Sequence, residues 1–281
     1  MKKKVKYLMG LVLAGIASIA GMSYILYDRN HFVTTRYQIQ SKNIKSNLRI
    51  ILLADLHNQS YGADNDRLVS AIKKERPDLI LFSGDMIDNK AKPEDYSNFI
   101  TLCRRLIQTC PIHYCYGNHE LTNKNIKEME KTLKEIGVEI VNNESYRIII
   151  NRNKIRILGL VHEANASDAL VKKKKAYLNS ALFDKSSYKI MLYHYPERVV
   201  NTIPDIPVDL ILSGHAHGGQ WRFGNRGLYA PGQGLFPKFT SGLYKLENAH
   251  FIISRGIGSH VWLPRINNPA EIVVIDISPE E

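Results

Sequence analysis

Residues 49–57 read Arg-Ile-Ile-Leu-Leu-Ala-Asp-Leu-His, and this stretch decides the fold. Residues 49–54 form a short apolar run without polar alternation, the pattern of a strand buried on both faces. Asp55 and His57 follow at the point where such a strand ends. The same pattern recurs along the chain. Leu79–Ser83 (LILFS) runs into Gly84-Asp85, and residues 112–116 (IHYCY) run into Gly117-Asn118-His119-Glu120. Residues 189–193 (KIMLY) run into His194, and Leu210–Ser213 (LILS) into Gly214-His215-Ala216-His217-Gly218.

Helical spacing separates the first of these runs. Residues 65–75 carry Leu68, Val69 and Ile72 on one stripe and stop before Pro77. Residues 96–108 align Phe99, Ile100, Cys103, Leu106 and Ile107. Residues 123–136 end at Gly137. Strand-like runs follow at 139–141, 146–151 and 154–158, then a helix at 167–182 capped by Ser167. Further strands lie at 251–254 and 271–277. This order predicts an α/β domain over residues 47–281, βαβα first and strand-rich later.

In open α/β sheets, ligands bind beyond the carboxyl ends of the strands. Five separate strands thus deliver polar side chains to one rim. The carboxylates offer hard oxygens, the neutral imidazoles borderline nitrogens, and Asn118 a carbonyl oxygen, a donor set suited to divalent metals. No cysteine is among them, which disfavours a structural zinc site. Each fragment alone is weak; a lone Asp-x-His or Gly-Asp is usually a loop or turn. All five together, in this order and each after an apolar run, are a strong signal.

The ordered set D-x-H, G-D, G-N-H-[DE], a single His and G-H-x-H, here DLH, GD, GNHE, His194 and GHAH, resembles the calcineurin-like metallophosphoesterases. The resemblance covers residues 49–277. It implies a four-layer α/β/β/α sandwich and two divalent metal ions, Mn, Fe or Zn. Asp55, His57 and His217 would hold one, and Asn118, His194 and His215 the other, with Asp85 bridging. His119 matches the family's catalytic histidine, and Glu120 is expected behind its ring. The implied reaction is hydrolysis of a phosphodiester or phosphomonoester by a hydroxide bridging the metals, with His119 acting on the leaving oxygen. One departure concerns the G-L-D-type segment of relatives, which reads Gly159-Leu160-Val161-His162-Glu163 here.

The N-terminus carries a second signal. Residues 7–27 contain no charge and follow Lys2, Lys3, Lys4 and Lys6. As a helix they span about 30 Å, one bilayer core. Residues 1–27 therefore read as an anchor or a signal, with an uncleaved transmembrane helix favoured because the apolar stretch exceeds a usual signal core. Residues 28–46 read as a juxtamembrane linker with an edge strand at 34–40. The lysine cluster places the catalytic domain outside the cytoplasm of a single-pass membrane protein, although Arg29, Arg36, Lys42, Lys45 and Arg49 oppose that bias. The expected substrate is a phosphate ester, lipid-linked or in the envelope, as in the membrane-anchored or exported bacterial subgroup that the anchor resembles.

Composition agrees. The 281 residues hold 38 Lys+Arg against 27 Asp+Glu, a net charge of +11, and are 44% hydrophobic. That excludes a disordered chain. Three cysteines without a CxxC exclude a disulfide framework. The basic balance suits phosphorylated partners. A nuclease or phosphoprotein phosphatase is the alternative, but no aromatic-and-basic strand pattern of single-strand readers occurs; a non-catalytic metal-stabilised module is the third reading. Trp221, Arg255 and Gly256 are candidate substrate contacts. His113 reads as a core histidine. His162, Glu163 and the run Lys172–Lys175 read as loop or solvated positions, and residues 231–236 as a Gly/Pro-rich loop with aromatics. His260 follows an R-G-x-G segment that reads either as close to the substrate, as the resemblance implies, or as a plain glycine turn.

Overall fold

A computed structural model describes residues 2–162, 186–202, 207–258 and 264–280. Helix α1 (Lys2–Asn30) precedes strands β1 (Phe32–Ser41) and β2 (Leu48–Leu53). Then come α2 (Asp66–Glu75), β3 (Leu79–Ser83), α3 (Ser97–Leu106), β4 (Ile112–Cys115), α4 (Asn118–Thr122), α5 (Ile126–Ile136) and β5 (Glu139–Ile140). Strands β6 (Ser145–Ile150), β7 (Asn153–Leu160) and β8 (Tyr188–Tyr193) lead to α6 (Pro196–Thr202) and β9 (Leu210–Ser213). Four two-residue strands follow, β10 (Arg222–Phe223), β11 (Arg226–Gly227), β12 (Tyr229–Ala230) and β13 (Gly234–Leu235). The last strands are β14 (Gly242–Lys245), β15 (His250–Ile253) and β16 (Ala270–Pro279).

Two six-stranded mixed sheets result, in the orders β1-β16-β2-β3-β4-β5 and β14-β15-β9-β8-β7-β6. Strands β2 to β5 run parallel, as do β7, β8, β9 and β15. The fully apolar runs explain why. On β8, Ile190 and Leu192 enter the main core while Met191 and Tyr193 enter a second core on the opposite face. On β9, Leu210 and Leu212 face the first and Ile211 the second. The period-2 alternation of a strand therefore supplies two cores at once. The outer face of the first sheet is covered by α2 (Leu68, Val69, Ile72), α3 (Phe99, Leu102, Cys103, Leu106) and α5 (Met129, Leu133). The second core takes in Val199 of α6. The expected helix over 167–182 lies outside the described residues, as do Glu163, Lys172–Lys175 and His260.

Within the segment read as a linker, β1 pairs in parallel with β16 from Phe32↔Ala270 to Ser41↔Pro279. On its other side β16 runs antiparallel to β2. The C-terminal strand is thus inserted between the first two.

In α1 the large apolar side chains of Leu11, Val12, Leu13, Ile16, Ile19 and Met22 are all exposed. Side chains at 2, 3, 5, 8, 25, 26, 28 and 29 are outside the description. Among the described residues no helix is long and apolar enough to cross a membrane. Among the described residues, the base of α1 meets the domain beside Arg265. Tyr24 donates its hydroxyl to the Arg265 carbonyl at 3.2 Å, and Tyr27 stacks on His31 with ring centroids 4.8 Å apart.

Candidate metal centre

The polar residues after β2, β3, β4, β8 and β9 meet at one end of the two sheets, in unusual backbone. Asp55, His57, Asp85, His215 and His217 have φ of 54°, 46°, 54°, 68° and 45°. Left-handed conformations of non-glycine residues cost about 1–3 kcal/mol each and persist only where surroundings enforce them. Here the β2 and β3 loops are zipped together. Asp55 N–H donates to Gly84 O (2.9 Å), His57 N–H to Asp85 O (3.1 Å) and Asn58 N–H to Met86 O (3.3 Å).

Glu120 fastens this turn to the next. Its buried carboxylate accepts N–H bonds from Asp85 (2.9 Å), Met86 (2.6 Å) and Gly117 (2.8 Å), and the Tyr114 hydroxyl (2.6 Å). The sequence reading put Glu120 behind the His119 ring; it instead organises the backbone that presents Asp85. Gly84 (φ 97°) must lack a side chain, because a Cβ there would lie 2.5 Å from His194 Nδ1 and 2.6 Å from Gly117 N.

Three groups of convergent donors follow: Asp55, His57 and His217; Asp85, His194 and His215; and His57, Asp88 and His119. In the first, His57 Nε2 and His217 Nε2 stand 3.2 Å apart, with Asp55 Oδ1 3.5 Å from His217 Nε2 and 4.0 Å from His57 Nε2. In the second, His194 Nε2 is 3.1 Å from Asp85 Oδ2. That contact lacks hydrogen-bond alignment, so His194 Nε2 counts among buried atoms without a hydrogen-bond partner. His194 Nδ1 meets the Ser83 carbonyl at 2.7 Å, which directs Nε2 into the cluster. Asn118 Oδ1 is also buried without a partner. A buried acceptor left unsatisfied costs about 1–3 kcal/mol, and a cation satisfies it. The donor set therefore fits two divalent ions.

Charge makes the same demand. Asp55 and Asp85 are buried and adjacent, and unpaired buried carboxylates are costly. Burial pushes Asp55 up to about 6, with His194 pulling the other way and Asp85 adding to the rise. Burial also opposes ionisation of Asp85, but the charge of His194 outweighs it and holds the carboxyl below its usual range. Burial disfavours the His194 cation, yet Asp85 overrides it and raises the imidazole to about 10.

His119 lies at the mouth, its ring 4.6 Å from that of His57. The Asn89 N–H donates to its Nδ1 at 3.0 Å. In the neutral ring the proton then sits on Nε2, the atom 3.9 Å from Asp85 Oδ2. Burial disfavours the His119 cation, but Asp88 and Asp85 outweigh this and raise its pKa.

Sequence reading missed Asp88. Its Oδ1 lies 2.9 Å from His57 Nδ1 and 3.5 Å from His119 Nδ1, one carboxylate serving two rings. The available signal was an acid three residues past Asp85 in the same loop. Arg265 and Asn268 were also missed: Arg265 Nη2 lies 3.3 Å from His217 Nδ1, and Asn268 Nδ2 donates to the His217 carbonyl at 2.7 Å. Among the expected substrate contacts, Arg255 is turned away, its guanidinium held by Glu271 (2.6 Å) and Thr35 (3.0 Å). Gly256 does lie at the site; a Cβ there would come 2.8 Å from Asp55 Cβ. Trp221 donates its indole N–H to the Pro264 carbonyl at 3.0 Å.

Fold and donor geometry define a two-metal hydrolase of phosphate esters. The family model of calcineurin-like phosphoesterases matches residues 48–219, and the chain belongs to that family. It is a metal-dependent phosphoesterase, and the family uses two divalent metals. Over 265 residues the chain is 30% identical to the uncharacterised metallophosphoesterase YkuE of Bacillus subtilis, covering 90% of this chain and 88% of that protein. It is 27% identical to the phosphodiesterase YaeI of Escherichia coli, covering 94% and 95%. Among solved structures, TT1561 of Thermus thermophilus shares the fold with a TM-score of 0.51 at 14% identity, over 74% of this chain and 89% of that one.

Proposed function

We propose that this chain hydrolyses a phosphoester, most simply a diester, in a lipid-linked or envelope molecule, while α1 holds it at a membrane with the catalytic domain outside the cytoplasm. The reading rests on two convergent donor sets sharing one buried cleft. Asp55, His57 and His217 would hold one ion, and Asn118, His194 and His215 the other, with Asp85 beside the second set and available to both. When bound, the two metals act as Lewis acids that neutralise the anionic phosphoryl group.

The chain's own groups do the rest. Glu120 keeps the Asp85 turn rigid. As the imidazolium, which Asp88 and Asp85 favour against burial, His119 passes a ring proton to the leaving oxygen and is left as the neutral imidazole. Asp88 stabilises the charged ring between turnovers. The diester preference draws on the relative named as a phosphodiesterase. The membrane reading draws on the uncharged residues 7–27 behind four lysines, the exposed apolar side chains of α1 and the net charge of +11.

The test uses the full chain in detergent. Metal is stripped by chelation, divalent ions are titrated back by calorimetry, and hydrolysis of bis(p-nitrophenyl) phosphate is compared with the monoester. We expect two ions per chain and activity that returns with them. The variant His119→Asn should keep both ions and lose turnover; failure of the wild type to take up any divalent ion would overturn the assignment. Lipid-linked phosphate esters in mixed micelles, set against nucleotides and nucleic acid, decide the substrate class.

A further inference from the structure

A meander of two short β-hairpins springs directly from the metal loop. Its outer hairpin pairs Arg222↔Gly227 and Phe223↔Arg226, and its second pairs Tyr229↔Leu235 and Ala230↔Gly234. Phe236 N–H closes it onto the Leu228 carbonyl at 2.8 Å. The base is fixed to the site. Arg222 donates to the Gly218 carbonyl at 2.7 Å, and Leu228 N–H to the Gly219 carbonyl at 3.0 Å. The turn at Gly232 lies against Glu197, three residues after His194; a Cβ there would come 2.7 Å from its Oε1.

The tips face outward and are apolar. Phe223, Leu235 and Phe236 are 68%, 68% and 71% exposed, and Tyr229 is 52% exposed. Exposed aromatic clusters of this kind mark an interaction surface. Their chemical setting selects the partner. From Leu210 to Leu246 the chain contains no Asp or Glu, while Arg222, Arg226, Lys238 and Lys245 fall within it. Arg226 lies opposite Phe223 at a tip, and the Lys238 ammonium sits 5.3 Å from the Phe239 ring centroid.

The meander and α1 share a foundation. Residues 264–268 accept the Trp221 indole (Pro264 O, 3.0 Å) and the Tyr24 hydroxyl (Arg265 O, 3.2 Å). Tyr24 and Tyr27 line a cavity of about 230 Å³ with Asn267, Asn268 and Pro269.

We propose that this meander is a docking collar for an anionic lipid surface. Phe223, Tyr229, Leu235 and Phe236 enter the headgroup–acyl boundary, and Arg226 and Lys238 meet lipid phosphates. Aromatic tips beside cations, with Glu197 at the Gly232 turn the one carboxylate placed against the hairpins here, match the composition of interfacial lipid binders. The metal cleft then opens beside the bilayer surface. The collar requires neither hydrolysis nor a membrane-crossing α1.

A local probe tests it in the full chain. Cys103, Cys110 and Cys115 are buried, so a nitroxide on Leu235→Cys labels one position, and Ile149→Cys, 73% exposed on β6, serves as the remote control. Each labelled chain is mixed with vesicles of phosphatidylcholine alone or with phosphatidylglycerol added. Flotation reports whether the chain binds; collision with oxygen or a water-soluble nickel complex reports where the label lies.

With anionic vesicles we expect the label at 235 to lie roughly 5–10 Å below the headgroups and that at 149 to stay aqueous. High salt should withdraw the first label. The paired variant Leu235→Glu/Phe236→Glu, labelled through Tyr229→Cys, should place its label in water and leave hydrolysis of a soluble diester unchanged. A chain that floats with its 235 label aqueous keeps the α1 anchor and overturns the collar. A chain that floats with neither vesicle overturns both. Equal insertion into neutral vesicles overturns the electrostatic recognition, and concentration-dependent burial of the label without vesicles assigns the surface to a second copy instead.

Discussion

At the level of single residues, the site is held by carboxylates that differ in task. Asp55 and Asp85 face the metal donors, Glu120 gathers backbone N–H groups, and Asp88 steadies two imidazoles. Replacing Asp88 with Asn keeps the shape and removes the charge. We expect metal affinity or kcat/KM to fall by about 10–100-fold, the usual effect of losing a group that orients a ligand ring. Metal titration and a pH–rate profile check this, the profile moving because His119 loses its stabilising partner. His113 makes a separate prediction. It is buried on β4, its Nδ1 has no hydrogen-bond partner, and burial lowers its pKa to about 4 from 6.5. The unfolded chain therefore binds this proton before the folded one does. The folded state is at full advantage above about pH 6.5 and loses up to about 3 kcal/mol as pH falls through 6.5 to 4. Denaturation of His113→Leu across that window should show a shallower acid-side decline than wild type. The motif residues were legible because each follows an apolar run. Arg265 and Asn268 were not, since their partner His217 is 48 and 51 positions away and no local spacing reports such contacts. For Asp88 the local signal is its place three residues past Asp85, while its partner His57 is 31 positions away.

Elements position these residues through the carboxyl ends of parallel strands. Most strands were readable from composition: Leu79–Ser83 and Leu210–Ser213 match the apolar runs, and Gly137 ends α5 in a left-handed turn (φ 99°). The meander was not readable, because two-residue strands have no period to detect. Nor was α4, five residues that begin within the GNHE segment and end at Thr122. The placement of β16 between β1 and β2 escaped for a different reason, since partner choice in a sheet is non-local. The joints between elements are the sensitive points. We predict that Gly84→Ala, which forces a methyl group onto His194 and the Gly117 backbone, costs about 1–3 kcal/mol or more by overpacking and strips metal from the purified chain. Urea denaturation and metal content measure both effects.

For the molecule as a whole, the two cores are built to bring buried carboxylates and imidazoles together, and metal offsets that electrostatic cost. Ions that bind only the folded state stabilise it by mass action, about 4 kcal/mol at a thousandfold excess over Kd. Chelation should therefore lower Tm by roughly 10 °C, given about 2–4 °C per kcal/mol for domains of 150–250 residues. Scanning calorimetry before and after chelation tests it; an unchanged Tm would mean that metal contributes nothing to the folded state.

The insertion of β16 also sets a timetable for synthesis. Phe32 finds its sheet partner in Ala270, so the opening strand leaves the ribosome long before its neighbour exists. At about 5–20 residues per second, that wait lasts roughly 10–50 s. Throughout it, β1 and the adjoining edge of β2 are bare ladders open to any other chain. A nascent polypeptide of this design needs shielding until residues 270–279 arrive, and a stop before them leaves the first sheet permanently unclosed.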